Sequence, residues 1–304
     1  MRRYATGNAV CASSRTISAW ELQARPDRDG ELEPEQFRAD TDGSPHGPDL
    51  GAFAALAAMF GFGGGGNLLP TSAGTHRATW GLTYAAPTLP AGTIIFGTMG
   101  QPAAPPGTYT VTMTAGGERQ SQTFRVLPDP RVSTSQADYI AQHTFLQEVG
   151  GMIDRLADQT GDLMSVRGQV EGLTGLADEA GLSEADAARV EEAGEALSGS
   201  LAELREDILQ TANVSFYGPL ENPGKLAADL AFLYNTVAGG LAGVFNARPT
   251  DQAVDRLQEL QVDLAGVSNR LQTIFDEDLA AFNELIRSLG MDPVVLTREG
   301  RLIS

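Results

Sequence analysis

The strongest pattern in the chain is a three-and-four spacing of apolar residues through its C-terminal half. Four such stripes follow one another, with charged residues between their members. The spacing predicts four amphipathic helices that each bury one face. The stripes are Phe145, Val149, Met152, Leu156, Leu163, Val166, Val170 and Leu173; Val190, Ala193, Leu197, Leu201, Leu204, Ile208 and Thr211; Leu226, Leu230, Leu233, Val237, Leu241 and Val244; and Val254, Leu257, Leu260, Leu264, Val267, Leu271 and Ile274, then, after a slip of one residue, Phe275, Leu279, Phe282, Ile286 and Leu289.

Residues that begin or end helices well stand where the stripes start and stop. They are Ser133, Thr134 and Ser135 with Asp138; Ser183 with Asp186; Asn222 with Pro223; Arg248, Pro249 and Thr250; and Gly290. We predict an antiparallel four-helix up-and-down bundle over residues 133–290. A C-terminal tail at residues 291–304 follows it.

Between residues 79 and 126 the apolar spacing changes to two, which is typical of half-buried strands. The predicted strands are residues 79–84, 93–96, 108–114 and 118–126. The first places Trp80, Leu82 and Tyr84 on one face, and Gly116-Gly117 forms the tight turn between the last two. We predict a small Ig-like antiparallel β-sandwich over residues 67–130. The predicted fold class is therefore α+β, with two domains.

Residues 1–66 carry charge, proline and glycine without a sustained period, and are predicted to be a linker or irregular N-terminal arm. The apolar run Gly51–Phe62 predicts a short helix near residues 51–60. It is about half the ~20 residues that a membrane-spanning helix needs, so no membrane span is predicted.

Charge and reactive residues narrow the possible functions. The formal net charge is -18, and Lys225 is the only lysine, so polyanions such as nucleic acid or an anionic membrane would be repelled. Cys11 has no intrachain disulfide partner. Three scattered histidines, His46, His76 and His143, lack the spacing of a zinc site. We predict no nucleic-acid binding, no metal and no cofactor.

An ordered set of segments resembles bacterial sortilin-like proteins with BNR (Asp-box) repeats, which are classed with glycosyl hydrolases. In that family a Gly-x-x-Arg-x-x-Trp-Asp-Leu-Arg-Tyr strand follows the β-propeller. Gly74, Arg77, Trp80, Leu82 and Tyr84 match it here, whereas Gly81 and Thr83 depart from it. Further resemblances lie at residues 104–111, 129–132, 220–226, 247–250 and 278–283.

The resemblance covers about residues 68–293 and implies the C-terminal region that follows the propeller. No Asp-box turn of the form Ser-x-Asp-x-Gly-x-x-Trp occurs in this sequence. The relatives' activity is expected to lie in the propeller. The resemblance therefore implies a non-catalytic appendage, encoded alone or as a fragment of a longer protein, and an extracellular or periplasmic location. The sequence shows no signal peptide.

Two kinds of side chain are candidates for a site. Glycoside hydrolysis needs two carboxylates about 5 to 10 Å apart in a cleft. The acidic groups Glu191-Glu192, Glu203 with Asp207, and Asp276-Glu277-Asp278 instead lie on polar helix faces, so no catalytic residue is predicted. Trp80 and Tyr84 are a tentative binding surface, since aromatic rings stack on sugars; the alternative places both in the sandwich core.

Three functional hypotheses remain open. The first is a structural or interaction module that binds a protein partner or its own β-propeller, with self-association through the helices. The second is an accessory domain that binds carbohydrate, and an exposed aromatic row would favour it. The third is a glycosyl hydrolase, which would require paired carboxylates in a pocket.

Overall fold

The computed structural model describes residues 80–95, 97–115, 118–177, 181–210, 224–239, 246–298 and 301–303, together with the backbone of residues 17–24 and 36–38. The described residues fall into two compact units. One contains the sheet and comprises residues up to 83 together with residues 104–136. The other contains the helices and comprises residues 84–103 together with residues from 137 onward. The short helix predicted near residues 51–60 lies outside the described residues.

The sheet has four antiparallel strands in the order β2-β1-β3-β4. Their bounds are β1 Ile17–Ala24, β2 Gln36–Arg38, β3 Gly107–Ala115 and β4 Glu118–Val126. The β3–β4 register runs from Gly107 opposite Val126 to Ala115 opposite Glu118, which confirms the predicted hairpin. Gly116-Gly117, the predicted turn, lie outside the described residues. The second sheet that a sandwich requires is not among the described residues.

Residues 1–66, predicted to be a linker or irregular arm, contain two strands of the sheet, β1 and β2. The predicted domain plan is corrected accordingly. β1 pairs with β3, with Trp20 opposite Met113 and Leu22 opposite Val111. The register shifts between Ile17 and Ala19. From Trp20 onward the register is regular and Trp20, Leu22 and Ala24 alternate with Glu21 and Gln23, so the two-residue period was present in the sequence but was not recognised within a charged, proline-rich stretch.

Two predicted strands are wrong. Residues 80–84 and 93–95 form no strand. Leu82 has φ of 57°, in the left-handed region, which ends the extended backbone that Trp80 and Tyr84 would need to share a face. Thr93 closes a turn through its N–H to the carbonyl of Pro90 at 3.0 Å. The sequence therefore has the alternating pattern at these residues, but they do not form strands.

The helical unit contains α1 Gln136–Leu176, α2 Glu184–Ile208, α3 Leu226–Ala238 and α4 Asp251–Thr273. A π-helical segment, Ile274–Leu279, leads directly into α5 Ala280–Ser288. The hairpin β5 Leu296–Arg298 and β6 Arg301–Ile303 follows. The predicted tail at residues 291–304 thus contains two strands.

The helix ends test the capping predictions. Ser183 accepts a hydrogen bond from the N–H of Asp186, and Thr250 accepts one from the N–H of Ala253, which confirms both N-caps. Gly290, with φ of 76°, follows the last turn of α5 as predicted. Asn222-Pro223, the predicted start of the third helix, lie outside the described residues, and α3 begins at Leu226 after Lys225.

The π-helical segment explains the slip in the fourth stripe. A π-helical turn adds one residue to a helix without ending it, so the apolar face moves by one position. The slip falls between Ile274 and Phe275, where the π-helical segment begins. Leu271 and Ile274 before the slip and Leu279 and Phe282 after it are therefore all buried.

The up-and-down order predicted for the four helices is wrong, because their directions do not alternate along the chain. Gln261 and Ser268 of α4 hydrogen-bond Glu148 and Gln159 of α1, so residue numbers rise together and α1 runs parallel to α4. Arg270 pairs with Asp207, and Gly194 lies beside Phe282, so α2 runs antiparallel to α4 and α5.

α3 runs antiparallel to α1, as two contacts show. Gln142 donates to the carbonyl of Val237, and Gly150 lies beside Tyr234. The directions along the chain are therefore up, down, down and up. An apolar stripe specifies which face of a helix is buried but not the direction of its neighbours, so the pattern could not predict this order.

Candidate peptide-docking site

Trp80 and Tyr84, the tentative binding residues, have different surroundings. Trp80 is half-buried in the sheet unit, with ring centroids 5.4 Å from Tyr109 and 6.1 Å from Phe124, and its indole N–H donates to the carbonyl of Thr83 at 2.8 Å. Tyr84 is 8% exposed in the helical unit, 4.8 Å from the His143 ring. They belong to different units and do not share a strand face.

The acidic groups singled out from the sequence are exposed. Glu191, Glu192 and residues 276–278 lie at the surface of their helices. Glu203 and Asp207 flank Arg270 on the surface between α2 and α4. Exposed ion pairs of this kind stabilise a protein by at most about 1 kcal/mol. No group of His, Cys, Asp and Glu in the described part of the chain is arranged to hold a metal ion.

Residues 84–103 belong to the helical unit, although the sequence assigned them to the β-domain. Asn235 of α3 holds one part of the segment: its Oδ1 accepts from the N–H of Gly100 at 2.7 Å, and its amide donates to the carbonyl of Thr98 at 3.4 Å. Leu89 and Met99 pack against the helical core. The segment therefore adds apolar contacts to the core of the helical unit.

Asp154 of α1 holds a second part of this segment, since its Oδ1 accepts from the N–H of Thr88 at 2.7 Å. Partial burial raises the pKa of the Asp154 carboxyl; the Thr88 hydrogen bond acts in the opposite direction, and the charge of Asp158 adds to the rise. The folded chain thus holds this proton more tightly than the unfolded chain does. The contribution of the Asp154 carboxyl to the stability of the fold is present at low pH and is lost as pH rises from about 3.8 through the folded-state pKa.

Asp154→Asn is expected to remove this loss of stability at higher pH, because the asparagine Oδ1 can still accept a hydrogen bond from the N–H of Thr88 but the side chain cannot ionise. The stability of the variant relative to the wild type should increase between about pH 3.5 and about pH 7. Urea midpoints at the two pH values measure the difference. Glu192→Gln, on the exposed surface of α2, is the control. A relative stability that falls with rising pH would contradict the assignment.

The C-terminal segment Met291–Leu296 is held by a pair of side-chain amides that we call the amide clamp, Gln169 and Asn283. Asn283 of α5 accepts from the N–H of Val294 at 2.8 Å and donates to its carbonyl at 3.0 Å. Gln169 of α1 accepts from the N–H of Val295 at 3.0 Å and donates to its carbonyl at 2.9 Å. Each side-chain amide thus makes the same two hydrogen bonds to the main chain of one residue that a neighbouring β-strand would make.

The segment is also buried. Val294 is 4% exposed and belongs to the hydrophobic core, and Met291 and Leu296 pack against that core. Asn283 itself is 9% exposed. A buried amide is tolerated only when its polar atoms are paired, and the Val294 main chain provides both partners.

The sequence contained a signal for this site that periodicity did not predict. Asn283 lies four residues after Leu279 and three before Ile286, and therefore on the apolar face of the last helix. A polar residue there marks a buried hydrogen-bonding site. Gln169 stands beside the stripe residue Val170 and has no comparable signal.

A comparison of the chain with protein-family models gives no match, and comparisons with curated proteins and with solved structures give no significant similarity. Among the described helices, none combines the length and apolarity required to cross a membrane. These findings identify no family, and the class that the structure defines is a mostly helical α+β protein with a small antiparallel sheet.

Proposed function

We propose that the chain is a non-catalytic interaction module whose helical unit binds extended polypeptide segments. One repeated arrangement carries the proposal: Asn235, Gln169 and Asn283 each accept from a main-chain N–H and donate to a main-chain carbonyl. A helix has no free main-chain groups along its sides, so only its side chains can pair with an extended segment. The helical unit does this for two segments far apart in sequence.

The resemblance to the C-terminal region of sortilin-like, BNR-repeat proteins supports a similar role. In such a protein the partner is another protein or the β-propeller of the same chain. The Ig-like sandwich belongs to this proposal, with the four-stranded sheet as one of its two layers. Self-association through the helices and an extracellular or periplasmic location also belong to it, the location by resemblance alone.

Carbohydrate binding is the alternative that the aromatic residues raise. A sugar ring stacks on an aromatic face that is open to solvent. Burial of Tyr84 and packing of Trp80 against Tyr109 and Phe124 leave less ring surface open for this contact. The acidic groups singled out from the sequence are exposed, whereas glycoside hydrolysis needs a desolvated acid paired with a second carboxylate in a cleft. Peptide docking is therefore the function that these contacts favour.

Two screens on the purified full chain test the proposal. A display library of random linear peptides is expected to yield sequences that bind saturably, and light scattering reports whether the chain self-associates. A glycan array and a panel of chromogenic glycosides are expected to show neither binding nor turnover. Glycan binding or glycoside turnover, together with a library that yields no peptide, would contradict an interaction module.

A further inference from the structure

We propose that the groove between α1 and α5 is a binding site for an extended peptide of a partner protein, and that residues 291–296 occupy it as an intramolecular ligand. The inference rests on the proposed function, because it names the site and the class of partner for the interaction module. The amide clamp, the buried Val294 and the short tether of the segment carry it.

The amide clamp recognises main chain on both sides of the segment. In an extended peptide, the N–H and C=O groups of successive residues point to opposite edges. Val294 is paired on one edge by Asn283 of α5, and Val295 on the other by Gln169 of α1. The two helices therefore act as the two neighbours of a central β-strand, and this recognition does not depend on the side chain of Val295.

Apolar anchors give the site its selectivity. Val294 is buried in the core and Leu296, two residues later, packs against it, as expected for alternate residues of an extended chain. Val295 between them is only half-buried. A ligand would therefore be an extended peptide with a β-branched apolar residue at the first anchor and a large apolar residue two positions later.

The ligand now in the groove is tethered to the end of α5 by only two residues, Leu289 and Gly290. A short tether raises the effective concentration of a segment to the millimolar range, so an added peptide must compete with it. Weakening the chain's own segment should open the groove to a peptide added in solution.

The test uses a fluorescent peptide with the sequence of residues 291–298 and the full chain carrying Val294→Gly. This substitution removes the first anchor of the chain's own segment but leaves both clamp residues. Fluorescence anisotropy should show saturable binding at least about tenfold tighter than to the wild-type chain. A peptide with glycine in place of the first anchor should bind neither chain.

Asn283→Asp and Gln169→Glu test the amide clamp. A carboxylate accepts a hydrogen bond but cannot donate one to the carbonyl, so each change in the Val294→Gly chain should weaken peptide binding about tenfold. Gln252→Glu, an exposed amide-to-acid change on α4, is the matched control and should leave binding unchanged. Equal binding by the clamp variants, or no binding to a Val294→Gly chain with intact helical circular dichroism, would overturn the proposal.

If the Val294→Gly chain does not fold, hydrogen exchange in the wild-type chain tests the proposal instead. Excess unlabelled peptide should accelerate hydrogen exchange at the chain's own Val294 and Val295 amides, because the added peptide displaces them. Unchanged hydrogen exchange would overturn the groove proposal. Dimers that persist in excess peptide would also overturn it, because they would indicate that two copies of the chain swap the segment. Library peptides that bind regardless of Gln169 and Asn283 would refute this groove while retaining the interaction module.

Discussion

Leu260→Ala is expected to lower the free energy of unfolding by about 2 to 5 kcal/mol, the usual cost of removing a fully buried leucine side chain. Leu260 of α4 is 0% exposed and lies in the core that the helices share. Its removal leaves a cavity as well as losing transfer free energy. Urea unfolding followed by circular dichroism measures the change in midpoint.

Val262→Ala is the control on the same helix. Val262 lies two residues further along α4 and is 72% exposed, so the substitution should change the free energy of unfolding by no more than about 0.5 kcal/mol. Similar losses for the two variants would mean that α4 does not bury the face that its apolar stripe predicts.

Gly194→Ala is the second large effect expected. A Cβ atom at this position would lie 2.1 Å from Cγ2 of Thr174, with Val170 and Phe282 also within contact distance. Alanine gains about 1 kcal/mol of helix propensity over glycine, but overpacking in a core typically costs about 1 to 3 kcal/mol. The clash is severe, so a net loss of stability is expected.

Thr174→Ser separates the clash from other effects of the alanine. Serine lacks Cγ2 but keeps the hydroxyl that bonds the carbonyls of Val170 and Glu171. In the Thr174→Ser background, Gly194→Ala should therefore be neutral or stabilising. A double-mutant cycle by thermal unfolding measures the coupling, and an equal loss in both backgrounds would show that α1 and α2 do not meet at these residues.

The sequence predicted the helices well because each is specified locally. The stripes around Leu201 and Leu260, the cap at Ser183 and the glycine at Gly290 depend on spacing and on one turn of backbone. The one-residue slip before Phe275 coincides with the start of the π-helical segment, although no π-helix was predicted from it. The stripes do not specify the direction in which neighbouring helices run. That direction depends on contacts between residues about 60 to 110 positions apart, such as Arg270 with Asp207 and Gln159 with Ser268.

The strands were predicted less well because alternation is a weaker signal than a helical stripe. At Trp80–Tyr84 the alternation is clear, but the left-handed backbone of Leu82 interrupts the extended chain. In β1 the alternation covers only Trp20–Ala24, which is too short to stand out within a charged, proline-rich stretch. The docking site was missed for another reason: its polar residues bind main chain, which has the same chemistry at every position and leaves no pattern in the sequence of the bound segment.

Amide hydrogen exchange at Gly100, Val294 and Val295 tests the central claim most directly, namely that helix side chains hold extended segments through their main chain. These three residues lie outside the helices and strands, and their N–H groups donate to Asn235, Asn283 and Gln169. We predict that all three amides exchange far more slowly than those of an unstructured peptide. Exchange at the rate of an unstructured peptide would contradict the account.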